Sequence, residues 1–210
     1  MSTINGLRIL AHVALGSAKK RRQISGIFKK SGLIALGKGA WLGHRSKDVV
    51  SGFVIEGSAL DTYISGFILP AFDRHKFVNL SLGDRIVNCE IDGNTQSECK
   101  TSIDYYIENL SHIQSSNDLI EDICGRNVKG HYPIWVRYIS YLRRFDFEAA
   151  INYMDDDKRA QLHPSLLNQL DEISPFVSAH DKDSVFRVFE EWSAFSGRIF
   201  GPLDHTFDAF

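Results

Sequence analysis

The feature that most constrains this chain is a change in the spacing of its apolar residues near position 90. From Ala40 to about Val87 the spacing is two. VVSGFVIEGSA places Val49, Ser51, Phe53 and Ile55 on one face. TYISGFILP places Tyr63, Ser65, Phe67 and Leu69 on one face, with Ile64 and Ile68 on the other. KFVNLSLG alternates Val78, Leu80 and Leu82 against Phe77, Asn79 and Ser81. These runs are rich in β-branched and aromatic residues, so they predict strands. AWLGHR adds a short first strand. The connections GSALD and PAFDRHK are short. A parallel crossover needs about a dozen residues, so the strands form an antiparallel meander. Pro70 ends its strand, because it cannot donate to a ladder.

After Thr101 the spacing becomes helical. Thr101 is read as the cap of TSIDYYIENLSHI, with Asp104 in the position of a capping-box acid. NDLIEDIC forms a short helix that stops at Gly125. PIWVRYISYLRRFDFEAAINYM reads as two helices folded at Arg144–Asp146, with Pro133 in a first turn. Trp135, Tyr138, Ile139 and Leu142 make one apolar stripe, and Phe147, Ala150, Ile151 and Met154 the next. HPSLLNQLDEI gives another short helix. DSVFRVFEEWSAFSGRI gives a long one that buries Val185, Phe186, Phe189, Trp192 and Phe195. No second copy of the 133–154 pair recurs at a fixed period, so this is not a repeat protein. Strands followed by a run of helices predict an α+β fold. The expected order is N-terminal helices, an antiparallel three- to four-stranded β-meander, then a C-terminal bundle of four to six helices. Residues 88–100, NCEIDGNTQSECK, are polar and read as a loop. That loop separates a subregion at 1–90 from a helical subregion at 101–210, within one compact domain.

With 210 residues the chain can bury roughly 70% of its unfolded surface without a disulfide or metal. Its three cysteines, Cys89, Cys99 and Cys124, are odd in number and lack CxxC spacing. A reducing, cytoplasmic compartment is the simple inference. No apolar run approaches the ~20 residues of a membrane span. The basic, acid-free start, MSTINGLRILAHVALGSAKKRR, is transit-like in composition. A secretory signal would carry its charge before the apolar stretch, whereas here the charge follows it, and the segment is read as part of the fold.

Charge is unevenly spread. Residues 1–47 carry ten Lys and Arg and no Asp or Glu, which leaves 14 bases and all 26 acids for the rest. Such asymmetry predicts a basic surface for an anionic partner, or a segment that docks on the chain's own acidic part. The densest stretch is GSAKKRRQISGIFKK. Leu7, Leu10, Val13 and Ala14 suit a helix over 5–15, and Gly16-Ser17 breaks and re-caps the chain. A second helix runs to about Lys30, with Gly32 as its C′ residue. At 100° per residue, Ile27 and Phe28 fall beside Ile24. Lys19, Arg22, Lys29 and Lys30 fall opposite, while Lys20 and Arg21 flank the stripe, where their stems can cover it. The six bases are the candidate nucleic-acid or partner-binding residues.

No Walker loop, GxGxxG, GxSxG or HExxH is present. Three looser constellations remain. Asp84, Glu98 and Lys100 have the bare spacing of a metal-dependent nuclease core, but Glu98-Cys99-Lys100 is read in a polar turn. Phe72-Asp73-Arg74-His75, with His44-Arg45 on a neighbouring strand, offers either acid–base groups or a solvated hairpin loop with a local ion pair. Asp155-Asp156-Asp157 follows a helix C-terminus, a poor place for acids. They bind a cation, face the basic helix or sit in a solvated turn. His163, His180 and His205 lack metal spacing, so no metal, cofactor or catalytic residue is assigned. The tail GPLDHTFDAF sets acids beside Phe207 and ends in Phe210, either as a docking motif or folded back on its own domain.

Two functions of different class follow. One is a non-catalytic accessory or interaction subunit of a cytoplasmic assembly, with a protein partner. In build, and without a motif to carry it, the chain is similar to the small α+β companions encoded beside bacterial toxins and anti-phage systems. The alternative is sequence-nonspecific binding of DNA or RNA through the basic N-terminal helix. A metal-dependent nuclease is the weaker third reading. No membrane partner is expected.

Overall fold

The computed structural model describes residues 18–37, 39–57, 62–76, 78–88 and 95–200. The expected helix at 5–15, residues 89–94 of the expected loop, and the tail with Phe207 and Phe210 lie outside them. Within the described residues the chain is α+β, with eight helices and one antiparallel sheet of five strands. It divides into two compact units, neither continuous in sequence. Unit 1 takes residues 1–44, 51–67 and 83–111, and unit 2 takes 45–50, 68–82 and 112–210.

In unit 1, helix α1 covers the described residues 18–30. Ile24, Ile27 and Phe28 are buried, as their spacing predicts. The helix ends in a Schellman motif: Leu33 N–H reaches the Phe28 carbonyl (3.0 Å) and Gly32 N–H the Lys29 carbonyl (3.3 Å). Gly32 sits at φ +79°, which a side chain would strain. The sheet follows in the order β1 (Ile34–Gly37), β2 (Ala40–Arg45), β3 (Val49–Gly57), β4 (Thr62–Pro70) and β5 (Arg85–Asn88), each strand beside the next in sequence. β1 pairs with β2 through Ile34↔Leu42 and Ala35↔Trp41, and the register shifts before Gly37. β5 pairs with β4 through Tyr63↔Asn88 and Ile64↔Val87. Phe28 meets Trp41 edge-on (ring centroids 5.5 Å apart) and tilts against Phe53 (5.2 Å), which seats α1 on the sheet.

The meander is longer than the three to four strands expected. β1 is a four-residue strand, largely exposed, so it has no alternation to read. The strand expected at KFVNLSLG is absent, since residues 78–84 form no strand and β5 begins at Arg85. The Asn79 side chain accepts from Ser81 N–H (2.8 Å), a local bond that turns the backbone away from a ladder. At Gly83 a Cβ would overlap the Gly66 carbonyl, so only glycine allows the chain to pass there before Gly66 N–H bonds the Asp84 carbonyl (2.8 Å).

The loop expected at 88–100 is helical from Thr95, where α2 (Thr95–Ser111) begins. Thr101 does not cap it. Its hydroxyl bonds back to the Ser97 carbonyl (3.0 Å), inside the helix, and Asp104 pairs with Lys100. Buried Cys99 and Ile103 join the unit 1 core with half-buried Tyr106 and Ile107, and that burial overrides the polar composition.

Unit 2 holds α3 (Ser116–Gly125), α4 (His131–Arg143), α5 (Phe147–Tyr153), α6 (Asp156–Ala160), α7 (Pro164–Ser178) and α8 (Lys182–Phe200). Seven described helices thus follow the sheet. The one beyond expectation is α6, a five-residue helix too short to show a period. Its start changes the reading of the three acids. Asp155 is its N-cap, bonding Lys158 N–H (2.8 Å), and Asp156 and Asp157 lie in its first turn, where the helix dipole favours acids. In the core Phe72 meets Phe189 edge-on, Phe189 meets Trp192 edge-on and Trp192 tilts against Trp135, with centroids 5.2 to 5.9 Å apart. Phe186 and Phe195 are half-buried, and Ile151 stands exposed outside the stripe expected of it.

Candidate functional site

The outward face of α1 is built by the same residues that bury its inner face. Ile24, Ile27 and Phe28 fix the rotation of the helix, and helical geometry then turns Lys19, Arg22, Lys29 and Lys30 to the exposed side. Lys20 is half-buried beside the stripe. Arg21 is exposed and donates weakly to the Gly57 carbonyl (3.4 Å). Lys19 and Lys30 are eleven residues apart, so the bases span roughly 16 Å of helix. Among the described residues no carboxylate lies within ion-pair distance of these six side chains. Lys29 and Lys30 occupy the last turn, where cations complement the helix dipole. The face therefore presents positive charge that no described acid neutralises.

The loop Phe72–His75 is not the solvated hairpin loop considered from the sequence. Asp73 is buried in unit 2. Its Oδ1 accepts from Trp135 Nε1–H (3.1 Å) and Arg74 N–H (2.7 Å), and its Oδ2 from Tyr132 O–H (3.0 Å). Tyr132 is held well above the usual phenol range, first by burial and then by the Asp73 charge and hydrogen bond. His75 is buried too. Its Nε2 meets the Pro70 carbonyl (2.8 Å), and its backbone N–H donates to Ser196 Oγ (2.7 Å). These partners occupy both Asp73 oxygens and tie the loop to α4 and α8, which is a positioning role. Arg74 instead pairs outward with Glu172 (3.5 Å).

The remaining candidates fall elsewhere. His44 and Arg45 lie on β2, and Glu56 on β3 accepts from Ser65 Oγ (2.6 Å). Glu98 and Lys100 sit on α2, so the acid-x-Lys spacing falls on a helix and not on a strand or in a turn. Among the described residues no three His, Cys, Asp or Glu side chains converge to hold a metal ion, and no helix is long and apolar enough to cross a membrane. Sequence reading missed Asp48, a second buried carboxylate. It accepts from Arg143 Nε–H (2.9 Å), Ser116 Oγ–H (2.8 Å) and Ser116 N–H (3.2 Å). Nothing local to Asp48 signals this, because its partners are 68 and 95 residues away.

No family model matches the chain, and no curated protein or solved structure is significantly similar to it.

Proposed function

We propose that this chain is a non-catalytic interaction protein of a larger assembly, and that α1 is its contact with a nucleic-acid backbone. One observation carries the reading: Lys19, Arg22, Lys29 and Lys30 share an exposed helix face with no acid paired to them among the described residues. A helix seated by a buried aromatic–aliphatic face and charged on the other holds its bases in register for phosphates without reordering. Few side chains on that face can read bases, so the contact is with phosphate and carries little sequence preference. The assembly is of the kind in which a small α+β companion accompanies an effector.

Fluorescence anisotropy of labelled duplex and single-stranded DNA at two salt concentrations tests this. The wild type should bind at low salt and weaken as salt rises. Changing Lys19, Arg22, Lys29 and Lys30 to Gln should abolish most binding and flatten the slope of log affinity against log salt by up to about 3.6 on duplex, about 0.9 for each phosphate no longer neutralised. These positions are exposed, so the variant should keep its circular dichroism and melting midpoint. No binding at low salt would make this a docking face for protein or a solvated face, and a protein partner would then be sought by pull-down.

A further inference from the structure

Unit 2 contains a cleft of about 690 Å3. Its walls are residues 73–76 and 78–80, the first turn of α4 and the first half of α7. The two acids that line it are already engaged. Asp73 takes three donors, as described above, and Glu172 takes Arg74 and Trp192 Nε1–H (3.4 Å). Among the other side chains that line it, Lys76 can only donate, while Asn79, Ser165, Asn168 and Gln169 can both donate and accept. Lys76 is exposed, with no acid paired to it among the described residues. Gln169 is about nine-tenths buried, and its Nε2 has no partner. His163 Nδ1 accepts from Ser165 N–H (3.3 Å) and lies 2.8 Å from Ser165 Oγ. The His131 ring lies beside it, with centroids 5.9 Å apart. α4 begins at Gly130, which has no side chain to cap the first N–H groups of the helix. Val78, Leu80 and Leu166 supply an apolar wall.

A concave, partly apolar site lined by Lys76 and two imidazoles, whose two acids already hold donors of their own, selects a particular chemistry. We propose that the cleft binds a small organic anion, a carboxylate or phosphate monoester on an apolar body. The headgroup takes the His131–His163 end and Lys76, and the body lies on Val78, Leu80 and Leu166.

The test is a titration of the whole chain with phenyl phosphate and with benzoate, followed through the imidazole NMR signals of His131 and His163. Either anion should shift both signals saturably, and the tighter one identifies the headgroup. Inorganic phosphate and benzyl alcohol, which each carry half of the ligand, should bind at least about tenfold more weakly. Asn168→Trp, at an exposed α7 position in the cleft wall, should abolish the shifts while the melting midpoint stays unchanged. Lys76→Gln should weaken binding several-fold. No saturable shift with either anion up to its solubility limit would overturn the proposal. So would equal binding by benzyl alcohol or inorganic phosphate, or undiminished shifts in a folded Asn168→Trp.

Discussion

Asp48 and Asp73, both withdrawn from water in unit 2, hold opposite ends of α4. Asp48 meets Arg143 at the C-terminal end, and Asp73 meets Tyr132 and Trp135 near the N-terminal end. Removing one member of a buried pair leaves the other charge without its partner. Asp48→Ala should therefore cost about 3–5 kcal/mol, read from the urea unfolding midpoint. The buried phenols predict a limit on the alkaline side. Burial pushes Tyr138 up to about 12, a shift that the Ser174 bond and Arg159 only partly oppose, and Tyr132 is likewise held well above the usual phenol range. A raised folded-state pKa contributes stability that is fully present below the unfolded tyrosine value, about 10, and is lost as pH rises through the folded value. Unit 2 should thus lose stability progressively above pH ~10. Phenolate absorbance from these two residues should lag behind that of the other tyrosines, and ionisation of all seven tyrosines near pH ~10 without unfolding would contradict their burial.

At the scale of elements, glycine positions separate close approach from mere conformational freedom. Gly83 passes so near the Gly66 carbonyl that a Cβ has no room. Gly83→Ala should separate β5 from β4 and destabilise unit 1 by several kcal/mol, on the order of other overpacked sites. Gly26 has nothing within 4 Å of its would-be Cβ and lies on the exposed side of α1. Gly26→Ala should stabilise that helix by about 0.5–1 kcal/mol. Thermal melts of the two variants should move in opposite directions. Element types were legible where the apolar period ran long. α4, α5 and α8 lie where the spacing of Trp135, Ala150 and Trp192 puts them, and β3 and β4 follow their alternation. The failures have physical causes. KFVNLSLG alternates like a strand, but its apolar residues Val78 and Leu80 line a cleft while Asn79 bends the backbone. NTQSECK looks like a loop because only Cys99 hints that a helix has begun, and its burial partners come from the sheet and α1.

For the whole molecule, the small net charge of −2 conceals a local excess. Binding that depended on total charge alone would respond equally to the loss of any four bases. Changing Lys129, Lys182, Arg187 and Arg198 to Gln, all exposed in unit 2, alters the net charge as much as the α1 variant does. This control should retain nucleic-acid binding at low salt, and equal loss in both variants would remove α1 from its special place. By itself the sequence determined the α+β class, the antiparallel meander, the helical second half, and the rotation of α1 that buries Ile24 and Phe28 and exposes the bases opposite. Each of these is a local periodicity, set by which face of one segment meets water. Only the tertiary structure decided the assignment of β-strand ends to two units, the burial of Asp48, Asp73 and His75, and the cleft that residues 73–76 and 78–80 line with α4 and α7. Those features join residues as far apart as 95 and 121 positions, and no pattern within a single segment records where the chain will return.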